Sequence, residues 1–550
     1  MSLYSLGLSG LNAAQAGLTV SGHNIDNSAT PGYNRQRVMT STAGATATSA
    51  GYIGRGVQVD TVQRQYNSFL FRQLVGAQST GASYSTYASQ ITQVDNMLGD
   101  NTVGISPALA AFFGSLNAVA SSPADAATRQ DLIGKGQSLV SQINSAYRDM
   151  QTQREGLNTQ IGAAVSQVNS YLDQINNLNQ QIVVARATAS GNEPNDLLDQ
   201  RDLLLSQLSE VAGIRYTQQG DSVNVSLASG QALLSGTTVY RLQAVPSATD
   251  PARTAVAYTV PSGPNGATTT VEMKDGMIKD GTLGGLMKFR TESLDMLQNR
   301  LGQMAIGLAM TFNAQHTQGV DLSGVAGGDF FSLGTPAGIA SSKNTGTAVL
   351  TAAFTDAGAI TASDYTVAYS GGAYTVTRAA DGAQVYQGDG VAPPLAFDGL
   401  ELALTGTPQD GDVWLMQPTR NAARDLQQAI TDPGKIAASS TVNPGTTNGN
   451  NALALAKLQT AKTLAGGTVS LSESYSQIVN TVGQQAGAAK AGLKAQAAVI
   501  SQRQADQQSV SGVNLNEEYV NLALYQQQYQ AAAKLIDVAG TVFDSLLGLR

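Results

Sequence analysis

The chain has 550 residues, of which 42% are apolar and only 13% are charged, with a formal net charge of −8 and no cysteine. The length predicts two to four domains. An acidic chain without clustered Lys and Arg argues against nucleic acid as a partner and against anionic membranes. The missing cysteines exclude a disulfide scaffold, a thiolate nucleophile and a cysteine-ligated zinc site.

The N-terminal segment has none of the features of a cleaved secretory signal. Residues 1–22 contain no Lys or Arg, and Ser, Gly, Asn and Gln interrupt the leucines. No stretch reaches the ~18 apolar residues that a membrane span requires. We therefore expect no membrane insertion, and either a cytoplasmic protein or one exported without cleavage.

The N-terminal helical segment carries a larger side chain at every seventh position, with small residues three positions further on. The series is Tyr4, Leu11, Leu18 and Ile25, accompanied by Gly7 and Ala14. This spacing is typical of a short coiled-coil stripe. Pro31 cannot continue a helix and predicts its end.

The C-terminal segment, 513–550, repeats the heptad pattern and contains no proline. One series is Leu515, Leu522, Tyr529, Ile536 and Phe543. A second series, offset by three, is Glu518, Tyr525, Ala532, Ala539 and Leu546. Each stripe could pack on a core of its own domain, as most helices do. Because both stripes lie at chain ends and are nearly free of Lys and Arg, we expect 1–34 and 513–550 to pair as one terminal coiled-coil domain.

Between the ends, helical and strand periodicities alternate, which predicts a multidomain α+β fold. A β-hairpin and linker are expected at 35–64, with a flexible loop at 42–51. Period-two runs predict two inserted β-rich domains at 213–282 and 325–418. The helical ranges predict one long rod domain built from both halves of the chain: 65–212, 283–316 and 420–512.

Motifs for catalysis or cofactor binding are not found in the sequence. His23 and His316 lie in separate segments without metal-ligand spacing. Asp196, Asp199 and Asp202 share a helix face, and a cell-wall hydrolase could use such acids, but a solvated helix N-terminus explains them more simply. We expect no enzyme, no cofactor and no metal site.

An adhesin-like or glycan-binding protein is an alternative from another class. Four aromatic residues of the second β block could act as stacking platforms, although packing in a β-sandwich core explains them more simply. They are Tyr365, Tyr369, Tyr374 and Trp414.

Both ends of the chain also carry family motifs. The segment 6–37 reads LGLSGLNAAQAGLTVSGHNIDNSATPGYNRQR, and 511–549 reads SGVNLNEEYVNLALYQQQYQAAAKLIDVAGTVFDSLLGL. Together they resemble the terminal signatures of bacterial flagellar rod, hook and hook-associated axial proteins. Internal stretches at 113–123, 195–214 and 283–312 are most similar to the hook-associated protein 1 family within that group. The motif residues are Asn24, Asn27, Thr30, Pro31, Gly32, Tyr33 and Arg35.

The resemblance implies a structural protein that joins hook to filament as a ring of axial subunits, with another axial protein, hook-like, as the alternative. It implies secretion through the flagellar type III apparatus after a transient cytoplasmic stage, and a location at the hook–filament junction. The implied partners are hook protein, hook-associated protein 3, further copies of the chain, and a cytoplasmic export chaperone on the C-terminal helix. The expected assembly-interface residues are Tyr4, Leu11, Leu18, Ile25, Leu515, Leu522, Tyr529, Ile536 and Phe543.

Overall fold

A computed structural model describes residues 3–49, 51–99, 104–189, 192–261, 268–389, 395–441 and 444–548. The α-helices of these residues are α1 (Leu3–Asp26), α2 (Ser68–Leu98), α3 (Ile105–Ser121), α4 (Ala126–Thr188), α5 (Asn195–Val211), α6 (Gly281–Phe289), α7 (Asp295–His316), α8 (Ala422–Asp425), α9 (Asn450–Lys457), α10 (Leu471–Ser511) and α11 (Leu515–Leu547). A π-helical turn (Arg290–Leu294) joins α6 to α7. Among the described residues, no helix is both long and apolar enough to cross a membrane.

The strands all pair antiparallel. In the first half of the chain they are β1 (Gln36–Thr42), β2 (Ala45–Thr48), β3 (Gly51–Gly54), β4 (Val57–Arg64), β5 (Ile214–Gln219), β6 (Ser222–Leu227), β7 (Ala232–Ser235), β8 (Thr238–Val239), β9 (Leu242–Pro246), β10 (Thr254–Pro261) and β11 (Thr268–Glu272). The remaining strands are β12 (Gly319–Val320), β13 (Phe331–Ser332), β14 (Gly338–Ala340), β15 (Val349–Phe354), β16 (Tyr365–Ser370), β17 (Ala373–Arg378), β18 (Gln384–Gly388), β19 (Ala396–Phe397), β20 (Leu400–Thr405), β21 (Val413–Met416), β22 (Gln427–Gln428) and β23 (Ser439–Ser440).

Six sheets determine the architecture. The pairs β1–β4 and β2–β3 form one long hairpin, and the orders β5-β6-β7-β8 and β11-β10-β9 form two small sheets beside the helices. The five-stranded sheet has the order β14-β21-β16-β17-β18, and the three-stranded sheet β15-β20-β19 lies beside it. The range 42–51, expected to be a flexible loop, therefore contains most of a second β-ribbon instead, because its Ala, Thr and Gly residues pair with regular strand register.

The helix α4 is the axis of the rod. Its 63 residues span about 95 Å at 1.5 Å per residue. Asp125 caps its first turn by accepting hydrogen bonds from the amides of Ala127 and Thr128. Apolar residues at heptad-like spacing face α3 and α5, and the long helix α10 packs against α2, so both halves of the chain build one rod.

The two predicted β blocks relate differently to this rod. Strand residues such as Val225 and Leu234 belong to the same buried cluster as Leu172 and Ile175 of α4. The first block therefore shares the rod core. The second block has a separate core, centred on Trp414, whose indole Nε1 donates to the carbonyl of Ala348 at 3.1 Å. The domain boundaries themselves stay a proposal.

One of those boundaries requires a correction. The predicted second block begins at residue 325, but Phe330 and Phe331 pack against Phe112 and Phe312 with ring centroids 4.9 to 5.9 Å apart. This aromatic cluster belongs to the rod core. A separate outer domain is therefore better placed between Gly338 and Met416, which pair directly as its first and last strands.

The aromatic residues considered as glycan platforms are mostly inside the outer domain. Tyr365 is 0% exposed, Tyr374 4% and Trp414 1%. Tyr369 is half-buried, and its ring lies 4.9 Å from that of Tyr374. The structure therefore supports the core-packing interpretation.

A buried ion network connects the outer domain to α7. Arg420 donates to Asp295 at 3.0 Å and also pairs with Asp364 of the outer domain, and Arg154 donates to Asp295 at 2.7 Å. Burial alone would raise the pKa of Asp295, but Arg420, Arg253 and Arg154 together hold that pKa well below its usual range. Asp295 therefore stays ionised, and its pair with Arg420 connects α7 to the segment that follows the outer domain.

Candidate assembly site

The two ends of the chain pack together as an antiparallel helix pair, α1 against α11. Gly7 faces Ile536, and Gly17 faces Tyr525. A Cβ atom at these glycines would lie 2.7 Å from Ile536 Cγ1 and 2.5 Å from Tyr525 Cδ1. Such close backbone approach requires small side chains on one helix. The buried positions of α1 are Gly7, Ala14, Gly17, Ser21 and Asn24.

This seam lies beside the predicted stripe rather than on it. The predicted residues that remain exposed are Tyr4, Leu515, Tyr529 and Phe543, with 54%, 41%, 36% and 62% of their surface accessible. The predicted residues that are half-buried at the edges of the pair are Leu11, Leu18, Ile25, Leu522 and Ile536. On α11, the fully buried positions belong to the second heptad series, namely Glu518 and Ala532.

The helix pair consequently presents a large apolar surface to solvent. Along α11, Val520 is 68% exposed, and Leu546 is 62% exposed. Monomeric proteins rarely leave large contiguous apolar surface uncovered, and such patches mark contact sites. The exposed apolar residues of the pair are Leu3, Tyr4, Leu6, Leu8, Leu515, Tyr519, Val520, Leu524, Tyr529, Leu535, Val538, Val542, Phe543, Leu546 and Leu547.

The motif residue Asn24 lies at the base of the pair, where it is 1% exposed. Its amide nitrogen donates to the carbonyl of Gln36 at 2.9 Å and to Glu518 Oε2 at 3.2 Å. Its amide oxygen accepts from the Gln36 backbone N–H at 2.9 Å and from the Tyr33 hydroxyl at 2.7 Å. All hydrogen-bonding capacity of this buried amide is used, so it fixes α1, β1 and α11 relative to one another.

Arg35 joins the same elements by charge. Its Nε donates to Glu518 Oε1 and its Nη1 to Glu517 Oε2, both at 2.7 Å. Its backbone N–H donates to the carbonyl of Ser511, the last residue of α10, at 2.9 Å. The two segments that connect the helix pair to the rod are therefore bonded to each other where they cross.

The remaining motif residues form the turn after α1. Asn27 donates to the carbonyl of His23 at 3.0 Å and accepts from the Thr30 hydroxyl at 3.2 Å. The helix α1 has already ended at Asp26, and Pro31 lies within the turn that follows it. Gly32 has φ +81°, and a Cβ there would lie 3.0 Å from Leu203 Cβ of α5, so glycine fits this turn best.

Tyr33 completes the turn and is held neutral. Its hydroxyl donates to Asn24 and lies 3.0 Å from His23 Nδ1. Burial, together with the charges of Asp196 and Asp199, raises the pKa of Tyr33 well above its usual value. The hydroxyl therefore remains a hydrogen-bond donor throughout the ordinary pH range.

The carboxylates considered as hydrolase acids anchor the hairpin to the rod. Asp199 accepts from the Asn34 backbone N–H at 2.9 Å and from its side chain at 2.6 Å, and Arg64 donates to Asp199 at 2.8 Å and to Asp202 at 2.7 Å. Asp196 accepts from Gln36 at 3.0 Å. Burial raises the pKa of Asp199 and of Asp202, and the hydrogen bonds and charge of Arg64 oppose that rise. Within the described residues, no group of three or more His, Asp or Glu side chains could hold a metal.

Sequence reasoning missed two components of this site. One is the pairing of Arg35 with Glu517 and Glu518, which no local pattern signals. The other is the seam of small residues on α1. Its signal was present, because glycine, alanine and serine recur there at alternating spacings of three and four: Gly7, Gly10, Ala14, Gly17 and Ser21.

We expect Arg35→Met to loosen the helix pair without unfolding the rod. Glu518, with a side chain only 2% exposed, would lose its cation, at a cost of about 1–3 kcal/mol. Backbone amides of α1 and α11 should then exchange hydrogen faster, while those of α4 should not. Arg37→Met is the matched control, because Arg37 is exposed and forms no ion pair among the described residues. Equal exchange in both variants would contradict a structural role for the Arg35 pairs.

Family models match three parts of the chain. They are described as the flagellar hook-associated protein FlgK helical domain over residues 91–331, the flagellar hook-associated protein 1 D2-like domain over 339–418, and the flagellar basal body rod FlgEFG protein C-terminal over 507–549. The flagellar hook-associated protein 1 of Escherichia coli (strain K12) is 38% identical over 550 residues, which is 100% of both chains. This chain belongs to the flagellar hook-associated protein 1 family. It is thus a structural protein of the bacterial flagellum and not an enzyme.

Other relatives within the hook-associated protein 1 family support this assignment. The Salmonella typhimurium protein of that name is 39% identical over 557 residues, and the alignment covers 100% of both chains. The solved structure of the flagellar hook junction protein FlgK from Burkholderia pseudomallei superposes with a TM-score of 0.73 at 31% identity, covering 80% of this chain and 100% of that one. The α+β multidomain fold expected from the sequence is confirmed by this match.

Proposed function

We propose that copies of this chain form a ring through their paired ends and join the flagellar hook, on one side, to hook-associated protein 3 and the filament, on the other. The observation that carries this proposal is the uncovered apolar face of α1 and α11. Full burial of one large apolar side chain contributes about 1.5–3 kcal/mol. Exposed apolar residues lie at the start of α1 and along α11, so this face contributes to stability mainly when neighbouring subunits cover it.

The polar joint at the base of the helix pair supports the same proposal. Asn24 and Arg35 bond α1, the hairpin and α11 to one another, and Asp199 bonds the hairpin to the rod. Forces on the helix pair would thus pass to the rod through buried, charge-assisted hydrogen bonds, which are stronger than neutral ones. This arrangement suits a subunit that must transmit torque within an axial structure.

The proposal includes the route by which the chain reaches the flagellum. We infer that it leaves the cytoplasm unfolded through the flagellar type III apparatus, and that an export chaperone covers α11 beforehand. The exposed apolar residues of α11 motivate this step, because they would promote aggregation if left uncovered in the cytoplasm.

Cells that lack this chain should assemble hooks but release flagellin as soluble monomer, because the filament has no junction on which to grow. Flagellin in the culture supernatant would be measured by immunoblot, with a plasmid-borne copy of the gene as the control. Normal filaments on cells that lack the chain would refute the proposed function.

The outer domain should be dispensable for the junction. Because Gly338 pairs with Met416, a short Gly/Ser linker can replace the residues between them without displacing the rod. Arg420 keeps Asp295 as its partner after this replacement. We expect retained swimming and attached filaments, scored in soft agar and by electron microscopy. Shed flagellin, from cells that export the shortened chain stably, would show that the outer domain is part of the junction.

A further inference from the structure

The β2–β3 ribbon at the far end of the hairpin exposes two large apolar side chains. Tyr52 is 82% exposed and Ile53 54% exposed, whereas the other residues of 45–54 are Ala, Thr, Ser and Gly. In the ribbon, Tyr52 pairs with Ala47, and Ile53 pairs with Thr46. Successive strand residues point to opposite faces, so each face of the ribbon carries one uncovered apolar group.

The ribbon is held in a defined place despite this exposure. Its two strands continue those of the hairpin through backbone hydrogen bonds from Ala43 to Gly56 at 3.0 Å and from Arg55 to Gly44 at 2.8 Å. The hairpin in turn packs along α1, where the Val57 backbone N–H donates to the Ser9 hydroxyl at 3.4 Å. The ribbon thus extends from the N-terminal end of α1, beside the uncovered face of the helix pair.

An isolated two-stranded ribbon is only marginally stable in water. Tyr52 and Ile53 remain exposed although α1 lies beside the hairpin, so the rest of the subunit does not cover them. Burial of either side chain would stabilise the ribbon, and a cover for it would have to come from another molecule.

The charges of the hairpin and of α11 favour a second copy of this chain as that molecule. Between residues 36 and 59 the only charged residues are Arg37 and Arg55, so this half of the hairpin is cationic. The Arg55 Nε donates to the Thr46 hydroxyl, and Arg55 forms no ion pair among the described residues. The terminal helix α11 is acidic, and near its end Asp544 directly follows the exposed Phe543.

We propose that the β2–β3 ribbon docks on the outer face of α11 of a second copy of this chain. Ile53 then packs on the apolar surface around Val542 and Phe543, and Arg55, which lies on the same ribbon face as Ile53 and Thr46, pairs with Asp544. Tyr52 lies on the opposite face of the ribbon. This contact rests on the proposed ring, which supplies the second copy. It would make the ribbon a lateral clamp between neighbouring subunits, in addition to helix-to-helix packing.

The absence of cysteine from the chain permits a direct test. Full-length chain carrying Ile53→Cys and Val542→Cys would be assembled into flagella and treated with a short bismaleimide. We expect a covalent dimer of this chain. The matched control carries Ile53→Cys and Asn450→Cys, the latter at an exposed rod position, and should give no dimer.

Charge reversal gives a second, independent readout. Arg55→Glu should reduce the yield of cross-linked dimer or the amount of chain in flagella, and adding Asp544→Arg should restore it. Incorporated variants that give no dimer, a cross-link to a different protein, or no restoration by the double reversal would each overturn the docking of ribbon on α11. None of these results would affect the ring itself, whereas absence of the unmodified chain from flagella would refute the proposed function.

Discussion

Val520→Asp combined with Phe543→Asp should abolish incorporation into the flagellum and leave the melting temperature of the soluble chain unchanged. Both side chains are mostly exposed in the subunit, at 68% and 62%, so a carboxylate there remains hydrated before assembly. Once a neighbour covers the face, each unpaired charge has to be desolvated, which costs several kcal/mol. Incorporation would be measured in purified flagella and stability by circular dichroism.

Two comparisons make this result specific. Gln527→Asp introduces the same group at an exposed polar position of α11 and should be tolerated if that position faces solvent in the ring. Ile536→Asp alters a residue that packs on Gly7 inside the helix pair, and should loosen the pair already in the monomer. If Val520→Asp and Phe543→Asp lower the melting temperature strongly, the face is part of the subunit core. If the double variant assembles normally, the face is not an interface.

The periodicity of the sequence identified the helix pair but not the side chains that fill it. Heptad spacing of large residues suggested a conventional coiled coil, in which Tyr4 and Phe543 would lie inside. The buried positions are instead small residues such as Gly7 and Gly17. Small side chains let the helix backbones approach closely, and larger residues on flanking positions are then left for other contacts. A single sequence cannot distinguish an intramolecular seam from an intermolecular one, because both require apolar surface at the same period.

The contacts of the polar joint could not be predicted from the sequence for a different reason. Arg35 and Glu518 are 483 positions apart, and neither lies in a pattern that signals a partner. The same applies to Asp199. The solvated helix N-terminus expected from the sequence is wrong for this residue, because Asp199 is buried and accepts hydrogen bonds from Asn34 and Arg64. The family motif marked Asn24 and Arg35 as important, but only the fold shows that they act as hydrogen-bonding partners of α11.

The domain division shows which features of the fold local periodicity predicts and which it does not. Strand periodicity located both β blocks, yet it does not reveal which core a strand joins. Val225 and Leu234 complete the rod core, so the first block is a face of the rod rather than a free insertion. Phe330 and Phe331 lie in a segment with strand-like composition, but they complete an aromatic cluster with Phe312 of α7. Such long-range packing is decided by three-dimensional complementarity and not by pattern.

Removal of both chain ends should separate folding from assembly. The sequence alone suggests a fragment of residues 65–510, but that fragment would lack Arg64 and leave the buried carboxylates of Asp199 and Asp202 without their cation. Breaking a buried pair in this way costs about 3–5 kcal/mol. The fragment 35–512 retains Arg64 and also the backbone bond from Arg35 to Ser511.

We therefore expect the fragment 35–512 to melt cooperatively, with the helical and strand content of the rod and outer domain, and to be absent from flagella even when it is delivered to the cell surface. Its rod core lies wholly inside the retained range, whereas the face proposed to contact neighbouring subunits is removed with α1 and α11. Cells expressing only this fragment should release flagellin as monomer and fail to swim. Incorporation of the fragment at the level of the full chain would show that the rod, and not the paired ends, makes the axial contacts. Failure of the fragment to fold would show instead that the helix pair stabilises the rod, and Arg35→Met should then lower the melting temperature of the whole chain.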